Sequence, residues 1–321
     1  MRDSALLRAS RELYVSVLAG GTGDVNGDTI ERLATALEEE NVAAGRRIFS
    51  EGESVDHVYF ARHGRVRLER NGAPPLTVEG SAAYGAFEAV GGRPHARTAV
   101  AFEDLLLMRL PTESWVALLD DDFDLARLVV IDGLRRQAEL ELEDSSVRPK
   151  ASVALHARAA TTDGPIGFVE RVALLSTVPM LRAAGVQVLV DLAAVLTERT
   201  FERDERVHAR GVASGRAFIV VEGDVLGQRR APDRRVAYGP GSIVCGAAWL
   251  GEPQLAWETH AARRTRVLVL DAEHWFDMME EHAELLHATL GTMALTRDAI
   301  VEELAARQAG DGACAAIPSR K

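Results

Sequence analysis

The hydrophobic period of this chain runs 3.6, then 2, then 3.6, and the whole series is then repeated. A short helix is expected from Ser4 to Leu18, ended by Gly20-Gly21. A second starts at Asp28, with Glu31 three residues on as its capping-box partner, and Ile30, Leu33, Ala34 and Leu37 share one face. Beyond Asn41 the period falls to two. Val66 and Leu68 alternate with Arg65, Arg67 and Glu69, the pattern of a half-buried strand. Asn71-Gly72 is a tight-hairpin signal, Pro74-Pro75 makes the return irregular, and Leu76 and Val78 resume the alternation. Leu105 to Leu110 is a further strand. Past Pro111 the residues Trp115, Leu118, Leu119, Leu125 and Leu128 restore helical spacing, which runs on to Leu140.

The second series follows the first closely. Leu174, Leu175, Val178, Leu181, Leu189 and Leu192 make Phe168 to Leu196 helical. Strands are expected from Arg199 to Leu270 with a turn at Pro232-Asp233, and a long helix from Ala272 to Ala305. Gly52, Gly64 and Val66 recur as Gly211, Gly223 and Val225, 159 residues on, and Trp115 as Trp275, 160 on. A repeat this long is a duplicated domain. The fold class expected is mainly β with flanking α: two tandem antiparallel jelly rolls, each preceded and followed by helices. The expected layout is an N-terminal helical segment 1–27, a first domain 28–143, a linker 144–167, a second domain 168–305 and a flexible tail 306–321.

Composition narrows the function classes. The chain of 321 residues is 47% hydrophobic and 26% charged, which suits two globular domains. Its net charge of -11 speaks against DNA and against anionic membranes as partners. No apolar run is long enough for membrane insertion, and Arg11 and Glu12 interrupt the first apolar patch, against a signal peptide. Cys245 and Cys314 read as reduced thiols of a cytoplasmic protein. There is no Gly-x-Ser-x-Gly, no P-loop and no His-x-His, and His57 and His63 lack the spacing that converges on a metal. No metal, no cofactor and no enzymatic activity are therefore expected.

Three stretches carry a resemblance: AAGRRIFSEGESVDHVYFARHGRVRL from Ala43, LLSTVPML from Leu174, and YGPGSIVCGAAWLGEP from Tyr238. With the order of helices, jelly roll and long helix, the chain resembles the cyclic nucleotide-binding domain family, of catabolite-activator and protein kinase A regulatory-subunit type. The resemblance implies a cassette of Phe-Gly-Glu, a short helix, then Pro-Arg and a small residue before Ala-Thr. In it the glutamate takes the ribose hydroxyl, and the arginine and helix N–H groups take the cyclic phosphate. The matching stretch of the first copy is Tyr84, Gly85, Ala86, Phe87 and Glu88, then Arg93, Pro94, His95, Ala96, Arg97 and Thr98. Ala86 stands at the glutamate and His95 at the arginine. The second copy has Cys245, Gly246 and Ala247, then Gln254 at the arginine.

A charge-assisted bond contributes about 1.5–3 kcal/mol, so both cassettes read as degenerate. Glu88, Arg93 and Arg97 lie close enough to the vacant positions to leave the first copy a route to a nucleotide. The expected function is a non-enzymatic regulatory or adaptor protein acting through protein–protein interaction. The alternative is a second-messenger sensor whose first domain binds a cyclic mono- or dinucleotide through non-standard contacts. Leu286, Met293 and Ile300, spaced by seven, form a candidate seam for a protein partner or a homodimer, the other reading being that they face their own barrel. Trp115 and Trp275 are expected to pack helix onto barrel. The helix-turn-helix that often ends this family has no counterpart in the Gly/Ala-rich tail.

Overall fold

The computed structural model describes residues 27–143, 164–182, 184–212, 214–230, 233–244, 257–310 and 316–317. The expected helix at Ser4 to Leu18, the turn at Pro232 and the second cassette, with Cys245, Gly246, Ala247 and Gln254, lie outside them.

Helix α1 (Gly27–Ala36) buries Ile30 and Leu33, and Leu37 just past its end. Strands β1 (Glu38–Val42), β2 (Arg47–Phe49), β3 (His57–Ala61), β4 (Arg65–Arg70), β5 (Ala73–Glu79) and β6 (Ala82–Tyr84) follow. A five-residue helix, α2 (Ala86–Val90), comes before β7 (Thr98–Ala101) and β8 (Leu105–Pro111). The strands form two sheets, β1-β8-β3-β6 and β5-β4-β7-β2, and a two-residue strand near the C-terminus, Ala316–Ile317, extends the second in parallel at β5. Val42, Phe49, Ala61, Val66, Val78 and Leu107 from the two sheets close one core. Two facing antiparallel sheets with one buried face each are the jelly roll that the alternation required.

The second copy repeats this. Helix α6 (Val186–Val195) leads into β9 (Thr197–Phe201), β10 (Arg206–His208), β11 (Arg216–Glu222), β12 (Val225–Arg230), β13 (Asp233–Tyr238), β14 (Ile243–Val244), β15 (Glu258–Ala261) and β16 (Thr265–Asp271). The sheets are β9-β16-β11-β14 and β13-β12-β15-β10, the same order as before. Loop closure is duplicated to the atom: Gly45 donates its N–H to Ala101 O at 2.8 Å, and Asp204 to Ala261 O at 2.8 Å. Gly45 has φ 79° and Asp204 φ 65°, the aspartate being a residue that tolerates this region. Gly64 and Gly223 share φ values of 94° and 93°, and a Cβ on Gly223 would lie 2.7 Å from Thr265 Cα.

The helices differ from expectation in where they break. The single helix expected after Pro111 is two, α3 (Thr112–Asp121) and α4 (Phe123–Glu143). At the break Asp122 accepts the Leu125 N–H at 3.0 Å and the Thr29 hydroxyl, so its carboxylate starts the second helix. The helix expected from Ala272 is likewise α7 (Ala272–Glu281) and α8 (Ala283–Gly310), broken at His282, 160 residues after Asp122. The stretch Phe168 to Leu196 is α5 (Phe168–Leu175), a 3-10 turn at Pro179–Leu181, and α6, with Gly185 preceding α6. An apolar stripe continues across such breaks, so periodicity does not reveal them.

The chain divides into two compact units, 1–133 with 290–321, and 134–289. Helix α8 thus belongs to the first unit from Leu290 onward. Met293 and Ile300 are buried in that unit, and Leu286 is buried in the second. All three residues of the candidate seam are thus buried within the single chain. Among the described residues, Leu295 is a large apolar side chain exposed on this part of α8, at 48%. Among the described residues, no helix is long and apolar enough to cross a membrane.

Candidate ligand site of the first domain

Strand β6 delivers Tyr84 to a turn that only glycine makes without strain. Gly85 has φ 80°, and a Cβ on it would lie 3.0 Å from Val55 Cγ1 and 3.1 Å from His95 Cε1. Helix α2 follows, opened by Ala89 N–H to Gly85 O at 2.8 Å, and Arg93 N–H to Glu88 O at 2.9 Å folds the chain back. The return is anchored by His95 N–H to Glu53 O and Gly52 N–H to His95 O, both 2.9 Å. Trp115 of α3 donates its indole N–H to Ala86 O at 2.9 Å and meets Phe60 edge-on. The loop is thus built and braced, with Ala86 at the start of α2 and His95 on the return.

His95 is an uncharged ring in this loop at neutral pH. Its ring is buried and stacked on Phe49, centroids 3.7 Å apart at 9°. Burial lowers its pKa to about 4, against the weaker upward pull of Glu53 and Asp56, so the ring is neutral at neutral pH. The unfolded ring titrates near 6.5, so its contribution to stability is full above that value and lost as pH falls from about 6.5 toward 4. The whole loss should reach about 3 kcal/mol. His95→Phe, which keeps the stack, should remove that share of the acid sensitivity, measured as the difference in urea stability between about pH 7 and pH 4.

The cation of the site is Arg97, two residues further on. In the bend before β7 His95 and Arg97 are both buried, Arg97 at 5% exposure, with Ala96 between them less so. Its Nε donates to Asp298 Oδ1 at 3.3 Å, while Nη1 and Nη2 are buried with no hydrogen-bond partner among the described residues. Asp298 lies on α8, and its other oxygen accepts Arg70 Nη1 at 2.7 Å. Arg70 also reaches Glu302 at 3.3 Å and Glu51 at 3.7 Å; Asp298 first, then these two, hold its guanidinium more firmly protonated.

Helix α8 is seated on the cassette by close packing. A Cβ on Gly91, which caps α2, would lie 2.8 Å from Gly291 Cα. A Cβ on Gly133 would lie 2.5 Å from Met293 Cε and 2.7 Å from Phe87 Cζ. The Tyr84 phenol is pushed above its ordinary range by burial, opposed by Arg297 of the same helix.

Tyr84, Gly85, Ala86, Phe87, His95 and Arg97 are thus gathered around α2. Glu88 is half-buried on α2, Arg93 is exposed, and Thr98 accepts the Glu51 N–H at 2.9 Å. Arg70 and Asp298 were not singled out in the sequence. Arg70 sits beside a hairpin turn and Asp298 in a mixed helix, 228 positions away, so no local pattern joins them. In the second unit the residue before β15 is a buried tryptophan, Trp257, where Arg97 precedes β7. His208 takes the place of Phe49, its ring 5.0 Å from Phe218 and its pKa lowered by burial. Among the described residues, no group of three or more His, Cys, Asp or Glu could hold a metal.

Two jelly rolls of one strand order, the first with a short helix and an arginine-bearing return after its sixth strand, have the architecture of tandem cyclic nucleotide-binding-type domains. Residues 39–122 match the family model of the cyclic nucleotide-binding domain, and the first domain belongs to that family. No curated protein matches the chain. Among solved structures, a regulatory subunit of a cAMP-independent protein kinase A from Trypanosoma cruzi, bound to guanosine, is 16% identical with TM-score 0.36, covering 99% of this chain and 96% of that one. The regulatory domain of Toxoplasma gondii protein kinase A with cAMP is 15% identical with TM-score 0.33, covering 91% and 96%. A cAMP-binding acyltransferase from Mycobacterium smegmatis is 19% identical with TM-score 0.35, covering 43% of each chain.

Proposed function

We propose that this is a non-enzymatic regulatory protein that acts through protein partners, with its first cassette closed by its own chain. One observation carries the reading: the cassette's buried guanidinium is paired with Asp298 of α8, not left for a ligand to neutralise. Ala86 and the neutral His95 support it, because neither supplies what a ribose or a cyclic phosphate needs. Partners are proteins, a second copy of the chain among them, in a cytoplasmic setting. A ligand that binds only the native state raises its melting temperature. Cyclic AMP, cyclic GMP and cyclic di-GMP, each at about 10 μM, should leave the melting temperature of the full chain unchanged.

A second reading, a sensor of a nucleotide in the first domain, is favoured by the two unpartnered Nη atoms of Arg97. Buried donors without acceptors are costly and rare, and a ligand oxygen would satisfy them. A rise of several degrees with any of the three nucleotides decides for this reading.

A further inference from the structure

We infer that Arg97 and Arg70 form an anion site in which Asp298 is the built-in occupant, and that a free phosphate-type anion takes the same site by displacing α8. This rests on the site of the second reading but not on its nucleotide. The donor set is larger than its occupant. A carboxylate has two oxygens, and here one meets Arg97 Nε and the other Arg70 Nη1. That leaves Arg97 Nη1 and Nη2 buried and without an acceptor. A phosphate group carries three or more strong acceptor oxygens in a tetrahedral arrangement and can meet both guanidinium edges at once. Each arginine belongs to a different element, Arg70 ending β4 and Arg97 leading into β7, so the sheet fixes the spacing between them.

Displacement has a structural consequence. Asp298 lies seven residues, about two turns, after Gly291, so both sit on one face of α8, the face that meets Gly91 at the end of α2. An anion that takes the arginines removes the polar anchor of α8 and leaves only the apolar one. Binding and release of the helix are then coupled, and the coupling is reciprocal.

The test uses the full chain as wild type, Asp298→Asn and Asp298→Asn/Arg97→Met, with inorganic phosphate as the probe at matched ionic strength. Thermal melting should show Asp298→Asn stabilised by several degrees at about 10 mM phosphate, with an apparent affinity at least tenfold above wild type. Arg97→Met in that background should abolish the response. Equal responses of wild type and Asp298→Asn, or a response that survives Arg97→Met, overturn the inference. If Asp298→Asn gives no cooperative melt, hydrogen exchange on the wild type decides. Amides of 290–302 should exchange faster in about 50 mM phosphate than in chloride, and unchanged exchange overturns the inference. Cyclic AMP and adenosine monophosphate form separate arms. Phosphate binding to Asp298→Asn without nucleotide binding to wild type keeps this inference and removes the sensor reading. Nucleotide binding that Asp298→Asn leaves unchanged does the opposite.

Discussion

Asp298→Ala should destabilise the first unit by about 3 kcal/mol, and adding Arg97→Met should return most of that loss. Removing the carboxylate leaves Arg97 at 5% exposure with a full charge and no acceptor at any nitrogen found to donate here. A buried charge stripped of its partner is more costly than the absence of both, because desolvation is no longer offset. Arg97→Met alone should lose less, about 1 kcal/mol, since Asp298 keeps its 2.7 Å bond to Arg70. Urea denaturation of the four chains gives the cycle, and a coupling energy above about 1 kcal/mol is expected. Strictly additive losses would show that the pair is not a unit.

Trp115→Ala should be the most damaging single change in the first domain, at about 4 kcal/mol. The indole is fully buried, edge-on to Phe60, and its N–H is the hydrogen bond from α3 to the Ala86 carbonyl. Trp115→Phe keeps most of the burial and loses only that bond, for about 1–2 kcal/mol. Because Ala86 opens α2, Trp115→Phe should also quicken hydrogen exchange at Ala89 and Val90, whereas a change acting on packing alone would not single out those amides.

The fold was legible because its signals are local and occur twice. Gly64 and Gly223, the alternation around Val66, and Asn71-Gly72 each state a backbone requirement that the chain then meets. Helix boundaries were less legible: the breaks at Asp122 and His282 depend on capping and backbone angles that an unbroken apolar stripe conceals. The cassette was readable up to its two vacancies. The pairing of Arg97 was not, because Asp298 meets it only after the chain returns from 201 positions away. Charged residues on a helix look alike until tertiary structure selects one. The spacing of Met293 and Ile300 was seen, but a stripe of seven fits a partner and a barrel equally well; within the chain both are buried.

The meeting of Gly91 and Gly291 makes the seating of α8 a detent. A Cβ on Gly291 would come within 3.2 Å of Gly91 Cα, so this register sets glycine against glycine where the backbones are closest. Sliding by one residue would bring Leu290 or Thr292 against the cassette, and either side chain would wedge the two backbones apart. The same close fit brings Asp298, two turns further along the helix, to its arginines.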